Sequence, residues 1–237
     1  MTPKLYHGSD RFAWHARPWT YFAEHTNERT CAILPVYGMT DWGLGRPLDA
    51  EEVLASTLLD SALHLLPSAE APLVLPPLRH LPALHPNMTL TIDSEVAHGM
   101  VADLARSVLA SGIKRLLLFN SNPFCEEWID VAARDLRVEL GLQTFCINLS
   151  GLGYDFHNGR SADTRVLQSV LTHLLHSEAD PEGIFALNDP LLHLLVRVEH
   201  PLALDAADPV ASLRVGSEHL ARLLTAIYQH PLLEESR

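Results

Sequence analysis

Lys114-Arg-Leu-Leu-Leu-Phe-Asn120 sets an unbroken apolar run between a basic start and an amide end. It is too short for a core helix, and it reads as a central parallel strand covered on both faces. Gly112 lies just before it and stops a helix capped by Asp93 or Ser94 and predicted to reach about Ser111. Val96, Met100, Leu104, Val108 and Leu109 recur there at helical spacing and are expected inward. After the run, Asn120-Ser-Asn-Pro123 leads into a helix from about Phe124 to Leu140. Thr144 to Leu149 is the next strand, followed by a loop at Ser150-Gly-Leu-Gly153.

The same alternation continues upstream. Cys31-Ala-Ile-Leu-Pro-Val36 is a buried strand, Gly38 to Pro47 a loop with three glycines, and residues 50–66 a helix with Glu51 and Glu52 in its first turn. Pro72-Leu-Val-Leu75 is a strand closed by Pro76-Pro77, residues 78–87 are a loop, and Met88-Thr-Leu-Thr-Ile92 alternates as a short strand does. Residues 1–29, with Trp14, Trp19, Tyr21 and Phe22, are an irregular lead-in with one short helix. Helices are expected near 161–177 and 212–229, with a strand-poor stretch around Leu192–Val198 between them. Strand–helix alternation means right-handed βαβ units. The expected fold is a single α/β domain over 1–237, a three-layer α/β/α sandwich with a mostly parallel sheet. Ligands bind such sheets beyond the carboxyl ends of the strands, which singles out loops 37–49, 76–87, 120–126 and 150–160.

Composition narrows the function classes. The 237 residues carry 17 basic against 29 acidic side chains, a net charge of −12, which disfavours nucleic acid and anionic membranes as partners. Hydrophobic residues make up 47%, yet no apolar run approaches the ~20 residues of a membrane span, and Met1 to Asp10 has no signal-peptide core. Three cysteines, Cys31, Cys125 and Cys146, read as thiols of a cytoplasmic protein. A Gly-x-Gly-x-x-Gly after a strand, a phosphate-loop Gly-Lys-Ser/Thr, a His-Glu-x-x-His and a Cys-x-x-Cys are all missing from the sequence.

Several residues in the carboxyl-end loops have chemistry to offer. Cys125 starts a helix, where a thiol pKa falls, so Cys125 with His157 forms a nucleophile and base; the plain alternative is a small buried hydrophobe. Asp155 and His157 can orient each other as an acid–base pair. Asn122 can present its amide to a ligand in the tight turn after the strand, Arg160 can pair with a substrate carboxylate, and Trp42 either stacks on a planar ligand or fills space. His80, His85 and His157 sit in these loops, whereas His64, His173, His176, His193 and His219 lie in helical stretches. Asp41 and Asp49 flank the glycine loop, as turn and cap residues or as an acidic pocket.

Four segments in order resemble the creatininase family of metal-dependent amidohydrolases. Leu34-Pro-Val-Tyr-Gly-Met-Thr-Asp-Trp-Gly-Leu-Gly-Arg-Pro-Leu-Asp49 resembles that family's first strand and metal loop. Leu75-Pro-Pro-Leu with Pro86-Asn-Met-Thr-Leu resembles its Leu-Pro-Pro … Phe-Pro-Gly-Thr segment. Gly112-Ile-Lys-Arg-Leu-Leu-Leu-Phe-Asn-Ser-Asn-Pro-Phe-Cys125 resembles its Gly-Phe-Arg-Arg … Asn-Gly-His-Gly-Gly-Asn, and Ala207-Asp-Pro-Val-Ala-Ser-Leu-Arg-Val-Gly216 its closing Gly-Asp-Pro … Ala-Thr … Gly. The resemblance implies two divalent metals (Zn, Mn or Fe) on carboxylates and imidazoles, activating water to cleave a non-peptide C–N bond. Asp41 matches the first carboxylate, and the bridging acid falls at Asp49 or Glu51. Trp42 and Gly43 stand where a His is usual, Asn122 replaces the motif His, and Phe124 or Arg160 takes the place of a late Glu. Asn is a poor ligand for such metals and Arg repels them.

Three functional readings follow. The first is a divergent amidohydrolase-like protein acting on or binding a small amide or C–N metabolite. It would use no cofactor, or a single divalent metal at Asp41, Asp49 or Glu51. The second is a non-catalytic pseudo-enzyme or an accessory subunit. The third is metal-free chemistry by Cys125 or His157. The resemblance also implies a homo-oligomer, a hexamer in this family, or assembly with another subunit.

Overall fold

The structure is a computed structural model that describes residues 11–43, 45–156, 164–175, 202 and 204–232. Among these residues the sheet has four parallel strands, β1 (Cys31–Val36), β2 (Leu73–Val74), β3 (Arg115–Asn120) and β4 (Gln143–Asn148), in the order β2-β1-β3-β4. The quoted run is β3, and it sits inside the sheet with all six residues buried. Its register against β1 pairs Cys31 with Arg115 and Val36 with Asn120. Against β4 it pairs Arg115 with Gln143 and Asn120 with Asn148.

Side chains alternate between the two faces, as the pleat requires. Cys31, Ile33, Leu117 and Phe119 enter one apolar core, and Ala32, Leu34, Leu116 and Leu118 the other. The first core is closed by α2 (Ala50–Leu65), α5 (Thr164–Leu175) and α6 (Pro209–Gln229). The second is closed by α1 (Trp19–His25), α3 (Ser94–Ala110) and α4 (Glu126–Leu140). This is the expected three-layer α/β/α sandwich. Among the described residues, no helix is long and apolar enough to cross a membrane.

Local chemistry explains most of the boundaries. Asp93 caps α3 by accepting from the Glu95 and Val96 N–H groups, and Gly141, at φ 64°, ends α4 in the left-handed region. Asp208 accepts from the Ala211 N–H with Pro209 at the first helical position, so α6 starts earlier than the expected 212. The helix expected from Phe124 opens as a 3₁₀ turn over Pro123–Cys125 before α4. Likewise, Leu149–Leu152 forms a 3₁₀ turn where a loop was expected.

Two expectations need correction. Met88–Ile92 is no strand but makes two isolated bridges, Thr40 with Met88 and Pro82 with Ile92. Leu90 at φ 51° breaks the extended run between them. On α3, Val96 and Met100 are exposed, while Ala97, Val101, Ala102, Ala105 and Val108 face inward. The small alanines let the helix sit close to its neighbours, which turns the buried face by one residue from the one the bulky side chains suggest. The Leu192–Val198 stretch lies outside the described residues.

A guanidinium is buried within this frame. Arg115, at the amino end of β3, is 2% exposed. Its Nη1 donates to the Ile227 and Tyr228 carbonyls (2.8 and 2.9 Å) and its Nη2 to the His230 carbonyl (2.5 Å). It thus satisfies the open carbonyls at the end of α6, while burial pulls its own pKa down.

Candidate functional site

The chain runs from β1 outward to β2 and then returns past β1 to β3. The carboxyl ends of β1 and β3 therefore flank the point where strand order reverses, where α/β sheets open a crevice. Here the two strand ends are tied together, because the Ser121 N–H donates to the Val36 carbonyl (3.0 Å). The segment after β1 also approaches closely. A Cβ placed on Gly38 would lie 2.3 Å from Asn122 Nδ2 and 2.9 Å from Glu51 Oε1. A glycine is required at this position for contact reasons.

Glu51 is brought to this point by the first turn of α2 and is fully buried, at 0% exposure. Its Oε1 accepts from Trp42 Nε1 (3.3 Å) and from Asn122 Nδ2 (3.0 Å), and its Oε2 accepts from the Ser121 hydroxyl (3.0 Å). Asn122 Nδ2 also donates to Thr40 Oγ1 (3.0 Å), while its Oδ1 accepts from the Phe124 N–H (3.0 Å). Asn120 extends the network, donating from Nδ2 to the Asn122 carbonyl (2.8 Å) and to Asn148 Oδ1 (3.0 Å). Burial pushes the Glu51 carboxyl up, opposed by hydrogen bonds from Thr40, Ser121, Asn122 and Trp42.

Beside the network stands a row of rings. His85 is stacked on Phe124 at 4.0 Å and 8°, and Phe124 is parallel to Trp42 at 5.7 Å and 11°. Trp42 leans on Phe156 at 4.9 Å. The loops that present these rings are laced together. The Asp41 N–H donates to the Asn87 carbonyl (2.9 Å) and the Thr89 N–H to the Met39 carbonyl (2.8 Å). The Asn87 N–H donates to His85 Nδ1 (3.2 Å), which places the proton of the neutral ring on Nε2. His85 and Phe124 remain half-buried, at the rim.

Of the residues singled out in the sequence, Trp42, Asn122 and Glu51 meet in one network. Asp41 is exposed, and its carboxylate accepts from the Gly43 N–H (2.8 Å). Asp49 is exposed at the start of α2, where its side chain makes no cap. His80 is also exposed, its Nδ1 donating to the Leu90 carbonyl (3.0 Å), away from the network. Cys125 is 0% exposed, and burial, with the charges of Glu51 and Glu126, pushes its thiol up, the reverse of the direction a helix N-terminus alone would give. Asp155 is buried. His157 and Arg160 lie outside the described residues. Among the described residues, no three His, Cys, Asp or Glu side chains come together as metal ligands would.

Sequence reasoning passed over Thr40, Ser121, Asn120 and Asn148. The amides carried a signal. Asn120 and Asn148 close β3 and β4 at paired register positions, so strand ends rich in Asn could have been read as one lining.

The creatinine amidohydrolase (creatininase) family model matches residues 15–182. Solved structures agree in fold. A putative creatinine amidohydrolase from Bacteroides fragilis NCTC 9343 has a TM-score of 0.62 at 16% identity, covering 95% of this chain and 100% of that one. A creatininase mutant complexed with creatine has a TM-score of 0.59 at 17% identity, covering 92% and 99%. A manganese form of creatininase has a TM-score of 0.53 at 20% identity, covering 92% and 99%. No curated protein matches the chain in sequence. The family match runs from the aromatic lead-in through all four strands and across the network around Glu51, and on that ground this chain belongs to the creatininase family.

Proposed function

We propose that this chain is a divergent, amidohydrolase-like member of the family that binds a small planar amide or related C–N metabolite at the carboxyl ends of β1, β3 and β4. One observation carries the reading. Asn148 is half-buried at the end of β4, its Oδ1 is held by Asn120, and its Nδ2 protons have no partner among the described residues. An oriented amide donor of this kind suits the carbonyl of a small amide. The parallel rings of His85 and Phe124 at the rim suit a flat molecule. The neutral hydroxyls and amides of Thr40, Ser121, Asn120 and Asn122 favour an uncharged ligand over an ion.

Binding without cleavage, as a pseudo-enzyme or as a subunit beside an active enzyme, is the form of this reading that the saturated carboxylate of Glu51 favours. Thiol chemistry is the weaker rival, because Cys125 is enclosed and its thiol is pushed up. Acid–base work by Asp155 with His157, a ligand contact from Arg160, and assembly into a homo-oligomer or with a second subunit remain further parts of the proposal.

The test is ligand-observed NMR with a panel of small linear and cyclic amides. Binding should weaken at least tenfold in Asn148→Ala and in Phe124→Ala. The reading fails if no amide in the panel binds, or if both variants bind as tightly as the parent.

A further inference from the structure

We infer that the centre of this site is closed to a divalent cation and that a hydrogen-bond network built on Glu51 stands in its place. The inference rests on the proposed reading only for the location of the site. Zinc- and manganese-type sites need several lone pairs, from carboxylates or imidazoles, converging on an open volume. The arrangement at Glu51 is the opposite. Its Oε1 faces two N–H donors, Trp42 Nε1 and Asn122 Nδ2, and its Oε2 faces the Ser121 hydroxyl. Protons therefore occupy the directions from which a cation would be bound. An ion close to Oε1 would meet the positive ends of the Asn122 and Trp42 dipoles.

Space argues the same way. A single carbon added to Gly38 would lie 2.9 Å from Glu51 Oε1 and 2.3 Å from Asn122 Nδ2, leaving no volume on that side for an ion and its other ligands. Among the described residues, Asp41 and Glu52, on the same loop and helix as Glu51, are engaged elsewhere. Asp41 holds the Gly43 N–H, and Glu52 forms a two-point pair with Arg79 at 2.7 and 2.6 Å. Asp49 is exposed. Replacing the donor set while keeping the fold would remove the metal-bound water on which the implied hydrolysis depends and leave the surrounding surface free to bind.

Elemental analysis tests this on the full-length chain, incubated with excess Zn(II) or Mn(II) and then desalted. The expected result is no stoichiometric metal, or metal retained equally by Glu51→Gln, which assigns it to surface histidines. One or two equivalents that Glu51→Gln loses would overturn the inference. A second measurement needs no variant: the thermal midpoint of the parent chain should not move with EDTA or with added Zn(II). A midpoint lowered by EDTA and restored by Zn(II) would also overturn it. Failure of amide binding with the protein metal-free would count against the proposed function alone, so the two can fall separately.

Discussion

Gly38 and Asn122 are in such close approach that a methyl group on the glycine would lie 2.3 Å from the amide nitrogen. That nitrogen cannot move aside freely, because it donates to both Glu51 and Thr40. Gly38→Ala should therefore displace Asn122 and break at least one of these bonds. Overpacking of this kind costs about 1–3 kcal/mol, and an orphaned buried donor adds about 1–3 kcal/mol. Urea denaturation should show a stability loss of about 2–6 kcal/mol from these two contributions together. An unchanged midpoint would mean that the strand ends are looser than described.

Glu51 distinguishes shape from charge. Gln keeps the length of the side chain, accepts from Asn122 and Trp42 at its carbonyl, and offers an N–H to the Ser121 oxygen. Ala removes the acceptor that Trp42, Asn122 and Ser121 share. Glu51→Ala should cost about 3–5 kcal/mol from cavity and lost partners, and Glu51→Gln far less. The pH dependence has a definite sign. The folded-state pKa is raised above the unfolded value, so the contribution is full below about pH 4.3 and is lost as pH rises through the folded pKa. Stability curves against pH for parent and Glu51→Gln should diverge in that direction. Parallel curves would refute the burial-driven shift.

The cysteines should be slow to react in the native protein. Burial pushes Cys31 and Cys146 up to about 12, and the Cys125 thiol is raised as well. Thiolate is the reactive form, so iodoacetamide near neutral pH should leave the folded chain largely unmodified. Cys146, half-buried, should be the first to react, and all three should react in denaturant. Rapid native labelling of Cys125, read by peptide mass spectrometry, would revive the thiol reading.

Arg115 holds three carbonyls at the end of α6 with a single guanidinium. Arg115→Met keeps most of the apolar stem but leaves those carbonyls without their charged donor. Bonds to charged groups contribute about 1.5–3 kcal/mol each at most, and not additively, so a loss of about 3 kcal/mol is expected. Hydrogen exchange should quicken first in the last turn of α6. Uniform loss across the chain, without local quickening, would contradict the assigned grip.

The sheet was legible because burial on both faces leaves a local record. Leu116–Phe119 and Cys31–Val36 are apolar along their whole length, and a glycine or proline, Pro123 and Gly38, follows each within a few residues. The segment resemblance carried the family for the same reason, since motifs at strand ends are short and local. The site was legible only in part. Trp42, Asn122 and Glu51 stood out one at a time, but 71 residues of chain separate Asn122 from Glu51, and nothing local shows that they bond. The inward expectation for Val96 and Met100 failed because bulk was weighted above smallness, whereas α3 packs through its alanines. Met88–Ile92 failed because a left-handed leucine is invisible to an alternating pattern.

That leucine offers the cleanest stability test. Leu90 is 62% exposed, so its side chain contributes little to the core. Its backbone at φ 51° lies in the left-handed region, which costs a non-glycine residue about 1–2 kcal/mol. The conformation is held from outside: His80 Nδ1 donates to the Leu90 carbonyl, and the neighbouring Thr89 and Ile92 N–H groups donate to Met39 and Leu81. Glycine adopts this region without strain but carries an entropic penalty of about 0.5–1 kcal/mol. The difference leaves Leu90→Gly more stable than the parent by up to about 1.5 kcal/mol. Leu90→Val, β-branched and ill suited to positive φ, should be less stable than either. Urea midpoints in the order Gly, Leu, Val would establish the strain, and a Val variant at or above the parent would refute it.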